Sequence, residues 1–96
     1  MLELAILALL DRGPNYGAAV VDDLAARPGL AAGPGTVYPL LSRLKRSGMV
    51  ETAWQESPVG PPRKYYRLTQ VGQHTLALTR QSWHELALAM DQLLRK

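Results

Sequence analysis

The chain has 96 residues, 47% of them hydrophobic, no cysteine and a formal net charge of +3. That length supports one small domain, so a separate catalytic or sensing domain is not expected and any ligand site must share the common scaffold. Without cysteine, a disulfide framework, a zinc-thiolate site and a thiol nucleophile are excluded together, which fits a cytoplasmic protein.

The opening run is apolar but carries Glu3 where a signal peptide carries positive charge, and Asp11 ends it far short of a bilayer span. A buried helix over about residues 2–11 is expected, with no membrane partner. It is apolar on nearly all sides, which implies cover from more than one direction, one of them a second subunit. Asp11-Arg12-Gly13-Pro14-Asn15 supplies a glycine stop, a proline that blocks continuation and an Asn able to cap the next helix. That second helix is expected from about Tyr16 to Ala26, burying Val20, Val21 and Leu24.

Arg27-Pro28-Gly29 breaks it, and a Gly/Pro-rich run through Gly35 leads to a third start signal. Thr36 is a good cap, and Pro39 fits the first turn, where its missing N–H has no intrahelical partner. The third helix therefore starts near Thr36 and ends at Ser47-Gly48. Its inward stripe is Val37, Leu40, Leu41 and Leu44; Thr36, Pro39, Arg43 and Arg46 face outward, flanked by Tyr38, Ser42 and Lys45.

From Met49 to Glu56 the period becomes two, with Val50, Thr52 and Trp54 on one face and Trp54 expected in the hairpin core. From Arg63 to Leu68, Lys64, Tyr66 and Leu68 alternate with Arg63, Tyr65 and Arg67. The two runs form an antiparallel hairpin, whose loop of residues 57–62 carries three prolines and is expected to be stiff and extended. Thr69 caps a last helix running to about Arg95. Along it Leu76, Thr79, Trp83, Leu86, Met90 and Leu93 recur at spacings of three and four, as in a helix-packing seam. The seam is expected to join two copies of the chain, with Leu4 and Leu7 of the first helix contributing. The alternative is that the helix folds back over its own domain.

Charge is unevenly spread. Residues 43–67 hold Arg43, Lys45, Arg46, Arg63, Lys64 and Arg67 against Glu51 and Glu56, whereas residues 1–42 hold more acids than bases. The expected fold class is mainly α with a β-hairpin. It comprises a winged helix-turn-helix over residues 1–69, as a DNA-binding domain, and a long C-terminal dimerisation helix over residues 70–96. In that layout the third helix enters the major groove and the wing touches the flanking backbone, so the positive charge falls where double-stranded DNA would lie.

The sequence resembles the PadR-like transcriptional regulators. The resemblance rests on Gly35-Thr36-Val37-Tyr38-Pro39-Leu40-Leu41-Ser42-Arg43-Leu44, on Ser47-Gly48-Met49-Val50, and on Gly60-Pro61-Pro62-Arg63-Lys64-Tyr65-Tyr66-Arg67-Leu68-Thr69 with Gly72; Asn15-Tyr16-Gly17 adds to it. Lys45 stands where the family commonly has an acid. The resemblance implies a homodimeric regulator, usually a repressor, that binds a palindromic operator and answers an effector. It assigns Thr36, Tyr38, Ser42 and Arg43, with Arg46, to base edges or phosphates, Tyr16 to the DNA backbone, and Arg63 and Lys64 to the wing contact. Tyr38 equally suits helix packing.

Trp83 has two readings. Packing alone explains it, while in the short subgroup that this chain resembles, multidrug-responsive members place a tryptophan here to stack on planar aromatic drugs. By that implication a multidrug or phenolic effector would bind Trp83, with Leu86, Ala87 and Met90 as lining. No catalytic or cofactor-binding constellation is present: His74 and His84 lie about 15 Å apart along one helix, and no phosphate loop or nucleophile elbow occurs. An enzyme is not expected, and no cofactor or metal site. The rival reading is a winged-helix protein-interaction module without DNA binding.

Overall fold

The computed structural model describes residues 2–95. Its elements in chain order are α1 (Leu2–Asp11), β1 (Asn15–Tyr16), α2 (Gly17–Ala25), α3 (Pro34–Arg46), β2 (Val50–Gln55), β3 (Arg63–Leu68) and α4 (Gln70–Leu94). Three helices precede a hairpin and a long helix follows it, which is the winged helix-turn-helix arrangement.

α1 is the centre of the core. Ile6, Leu7 and Leu10 are buried, and Leu4, Ala5, Ala8 and Leu9 pack against the same cluster, so cover does come from several sides. Gly13, at φ +150°, turns the chain out of the helix as its N–H bonds to the Leu10 carbonyl at 3.1 Å. Asn15 does not cap α2. Its side chain accepts from the Tyr16 N–H at 3.0 Å, and Asn15–Tyr16 pair as a short third strand with Tyr66 and Tyr65. The sheet order is β1-β3-β2, antiparallel throughout.

α2 buries Val20 and Leu24, with Val21 half-buried. α3 starts two residues before Thr36. Gly33 is its N-cap and Pro34 occupies the first turn, which leaves Pro39 inside the helix on its exposed side. Two prolines compete for the position that tolerates a missing N–H, and the earlier one takes it. Val37, Leu41 and Leu44 close the core from α3, and Leu40 packs at its edge.

In β2 the inward alternation fades along the strand: Val50 is buried, Thr52 half-buried and Trp54 72% exposed. Trp54 is thus not hairpin core, because the strand has run past the helices by the time it reaches that residue. The loop beyond it bends back instead of running straight. Ser57 Oγ donates to the Val59 carbonyl at 3.1 Å, and Gly60 sits at φ +110°.

Thr69 caps α4, accepting from the Gly72 N–H at 3.0 Å and donating to the Gly48 carbonyl at 2.5 Å. A side chain at Gly72 would collide with the Met49 carbonyl, so this residue lets α4 start hard against the turn that enters β2. Leu76 is buried against the core, and an Arg80–Asp11 ion pair of 3.9 Å ties α4 to the end of α1. Beyond it α4 leaves the body. Its 25 residues span about 37 Å, and the molecule measures 56 × 27 × 20 Å.

Candidate nucleic-acid interface

The outer side of α3 carries Thr36, Pro39, Ser42, Arg43 and Arg46, all exposed, with Lys45 exposed beside them. The last turn alone holds Arg43, Lys45 and Arg46. No acid of α3 opposes them.

Tyr38 faces α2. An added Cβ at Gly17 would strike its ring and lie 3.0 Å from its hydroxyl oxygen, so the ring lies directly on that glycine. Tyr38 is still 40% exposed, so this packing leaves part of the ring open. Tyr16, Gly17, Ala18, Asp22, Tyr38, Arg63, Lys64 and Tyr66 line one groove between α2, α3 and the wing base. The structure thereby gathers four of the sequence-predicted residues, Tyr16, Tyr38, Arg63 and Lys64. It adds Gly17 and Tyr66, which the sequence reading did not single out as binding residues.

Aromatic rings fix the wing base. Tyr16 meets Tyr65 edge to face at 5.7 Å, the Arg63 guanidinium stacks 4.7 Å from the Tyr16 ring centre, and Lys64 Nζ lies 5.8 Å from that of Tyr66. Burial, with Tyr38 close by, raises the Tyr66 phenol above its ordinary 10.0 and keeps it protonated.

Arg43 and the wing base differ electrostatically. Arg43 donates to Glu3 of α1 at 2.9 Å, whereas Arg63 and Lys64 form no ion pair among the described residues. The Arg67–Glu51 pair lies on the face of the hairpin opposite Lys64 and Tyr66. Thr36, Ser42, Arg43 and Arg46 therefore form one exposed surface, and the groove residues form a second beside it.

The seam residues fall into two groups. Leu7 and Leu76 are each 3% exposed within the chain itself, and Leu4 packs partly against the core. Trp83, Leu86, Met90 and Leu93 are open, with Ala87 half-buried on the same helix. His74 and His84 are both exposed, and the described residues contain no cluster of three metal-binding side chains. Among these residues no helix is long and apolar enough to cross a membrane.

A winged helix with a basic third helix and a cationic wing base is the build of a DNA-binding regulator. Residues 6–78 match the transcriptional regulator PadR-like family, and the chain belongs to that family. It is similar to a PadR-like transcription factor from Bacteroides fragilis, at 40% identity and TM-score 0.82 over 97% of this chain and 89% of the other. A PadR-like transcriptional regulator from Bacillus cereus superposes with TM-score 0.90 at 30% identity, over 99% and 92% of the two chains. A curated transcriptional regulator of Mycobacterium tuberculosis is 36% identical over 72 residues, 75% of this chain; the match spans 65% of that relative's length. Members of the family regulate transcription and are not enzymes, and membership implies DNA binding.

Proposed function

We propose that the chain is a homodimeric repressor that binds a palindromic operator in the cytoplasm and is released by a planar aromatic effector. The observation that carries this reading is the apolar face of α4, which starts on the core at Leu76 and continues uncovered through Trp83, Leu86, Met90, Leu93 and Leu94. The Cα radius of gyration, 15.2 Å, exceeds the roughly 12.5 Å of a compact domain of this length. An exposed stripe at coiled-coil spacing is best covered by its own copy, and a two-fold dimer presents two α3 helices to two half-sites. Leu4 of α1 joins that interface, while Leu7 and Leu76 support it from within each chain. Residues 1–69 act as the DNA-binding unit and residues 70–96 as the dimerisation helix.

On DNA, Thr36, Ser42, Arg43 and Arg46 face base edges and phosphates, and Tyr16, Tyr38, Arg63 and Lys64 hold the flanking backbone. Occupying a promoter excludes polymerase, so repression is the output assigned. The effector site is built on the Trp83 pair, lined by Leu86, Ala87 and Met90, since an indole 46% exposed on a helix seam offers a flat apolar face. Release requires the effector to favour a dimer whose α3 helices are wrongly spaced for successive major grooves.

The test compares Trp83→Ala with the parent in sedimentation, gel shift and emission quenching by planar aromatic drugs or phenolic compounds. The variant keeps its dimer and its DNA affinity while losing quenching and drug-induced release. A folded monomeric parent, or a parent that no such compound quenches, rejects the corresponding part of the reading.

A further inference from the structure

α3 carries a proline in its interior, and that alters the main chain on its outer side. Pro39 has no N–H, so the Gly35 carbonyl, its partner four residues back in the helical ladder, receives no bond from it. No other group makes up the loss among the described residues. The side chains that donate to main-chain oxygens do so at Asp23, Gly48, Val59 and Thr75, and the turn and cap N–H groups also bond elsewhere. Gly35 and Pro39 are both exposed, and a Cβ on Gly35 would meet nothing within 4 Å, so the way to this oxygen is open. The two residues lie one turn apart on the stripe that continues through Ser42, Arg43 and Arg46.

We propose that the Gly35 main-chain oxygen reads an exocyclic amino group in the major groove, N6 of adenine or N4 of cytosine, and that Pro39 sets this specificity by keeping the oxygen free. This rests on the reading of α3 as the DNA-contacting helix and adds the chemistry of one base contact. In the free protein water satisfies the oxygen, which is why an interior proline is tolerated on the exposed side of α3. Entry into the groove expels that water, and the acceptor then needs a donor. The strong donors that base pairs offer there are those two amino groups, whereas guanine O6 and thymine O4 are acceptors and would face the oxygen like against like. Each base pair presents one amino and one oxo group, so the contact fixes which strand carries which base. A carboxylate is the usual side-chain acceptor for such a group, and α3 contains none. Its arginines only donate, and the hydroxyls of Thr36 and Ser42 can do either, so the acceptor-only role falls to the main chain. Glycine at position 35 lets a base edge come within hydrogen-bond distance of that chain.

The experiment uses the full chain and a library of random duplexes. The parent enriches a site, and each adenine and cytosine of that site is then replaced in turn by its analogue without the amino group. At one position in each half-site the replacement lowers parent affinity about three- to tenfold. Pro39→Ala, which returns an intrahelical N–H to the carbonyl, binds the original and the replaced duplex alike at that position. It keeps the parent's salt slope and melts no lower than the parent, since it repairs a helix bond. Pro39→Ser repeats the comparison with a different side chain and the same N–H. A replacement that costs the parent and both variants equally assigns the amino group to a side chain such as Thr36 or Ser42 and overturns the carbonyl contact, leaving DNA binding standing. A site with no position sensitive in the parent alone overturns it as well. A parent that enriches no duplex overturns the DNA-binding reading of α3 together with this contact.

Discussion

α4 and the β2–β3 hairpin share a design: each begins in the core and ends outside it. In α4 the inward stripe is Leu76, 3% exposed, followed by Trp83, Leu86, Met90 and Leu93 at 46, 52, 43 and 77%. In β2 it is Val50 at 2% followed by Trp54 at 72%. The far end of α4 is a broad apolar face, which water penalises until something covers it. The far end of the hairpin is a lone indole opposite Lys64, and single exposed aromatics are common on soluble proteins. Periodicity therefore marks which face an element would bury, and only the width of the bare face indicates whether a partner is needed.

The most forceful way to break the comparison is at the end of α4. Leu86→Asp with Leu93→Asp puts unpaired carboxylates into the proposed seam, at a cost of several kcal/mol, and abolishes the dimer. Sedimentation at micromolar concentration then gives a folded monomer or an unfolded chain. An unchanged dimer would place the interface elsewhere. Leu76→Ala acts at the other end of the same stripe. It removes buried core atoms within one chain and lowers stability by about 3 kcal/mol, read from denaturant unfolding. Because that loss arises inside the chain, it persists at every protein concentration, whereas damage to the seam scales with dimer formation.

Much of this fold was legible in the sequence. The α1 limits, the Thr69 cap and the alternation along Arg63–Leu68 are local signals, and the structure repeats them. β1 was not, because two residues carry no period and are set only by pairing with Tyr65 and Tyr66. The α3 start was misplaced because Thr36 and Pro39 together mimic a first turn that Gly33 and Pro34 already provide. Of the candidate site, the exposed side of α3 followed from helical spacing. The groove did not, since Gly17, Tyr38 and Tyr66 lie far apart in sequence and meet only through packing. The one available signal was Tyr66 alternating on the Lys64 face.

A smaller effect sharpens the contrast between Arg43 and the wing base. Glu3→Gln removes the acid paired with Arg43, and because both side chains are largely exposed, stability changes by less than about 1 kcal/mol. Duplex affinity rises modestly and its salt slope steepens by about one, since a cation previously satisfied by Glu3 becomes available to phosphate. A weaker complex would show that the pair orients Arg43 and does not compete with DNA. The raised Tyr66 phenol sets a further small effect at high pH. The folded state holds that proton more tightly than the unfolded chain does, so stability is full below about pH 10 and falls as pH rises beyond it.

The smallest effect is expected at Trp54, and it tests the hairpin half of the comparison. If β2 buried its inward face to the end, Trp54→Ala would cost about 3–5 kcal/mol, as truncating a core aromatic does. At 72% exposure the indole gives up little on truncation, and the change should stay within about 0.5 kcal/mol by denaturant unfolding. Emission supplies an independent check. In a Trp83→Phe background only Trp54 emits, and an exposed indole gives a red-shifted spectrum open to a soluble quencher. A blue-shifted, protected spectrum together with a multi-kcal/mol loss in Trp54→Ala would mean that the indole is covered in solution. Since the single chain offers no such cover, a partner surface would then have to reach the wing, and the hairpin would resemble α4 at its far end as well as at its root.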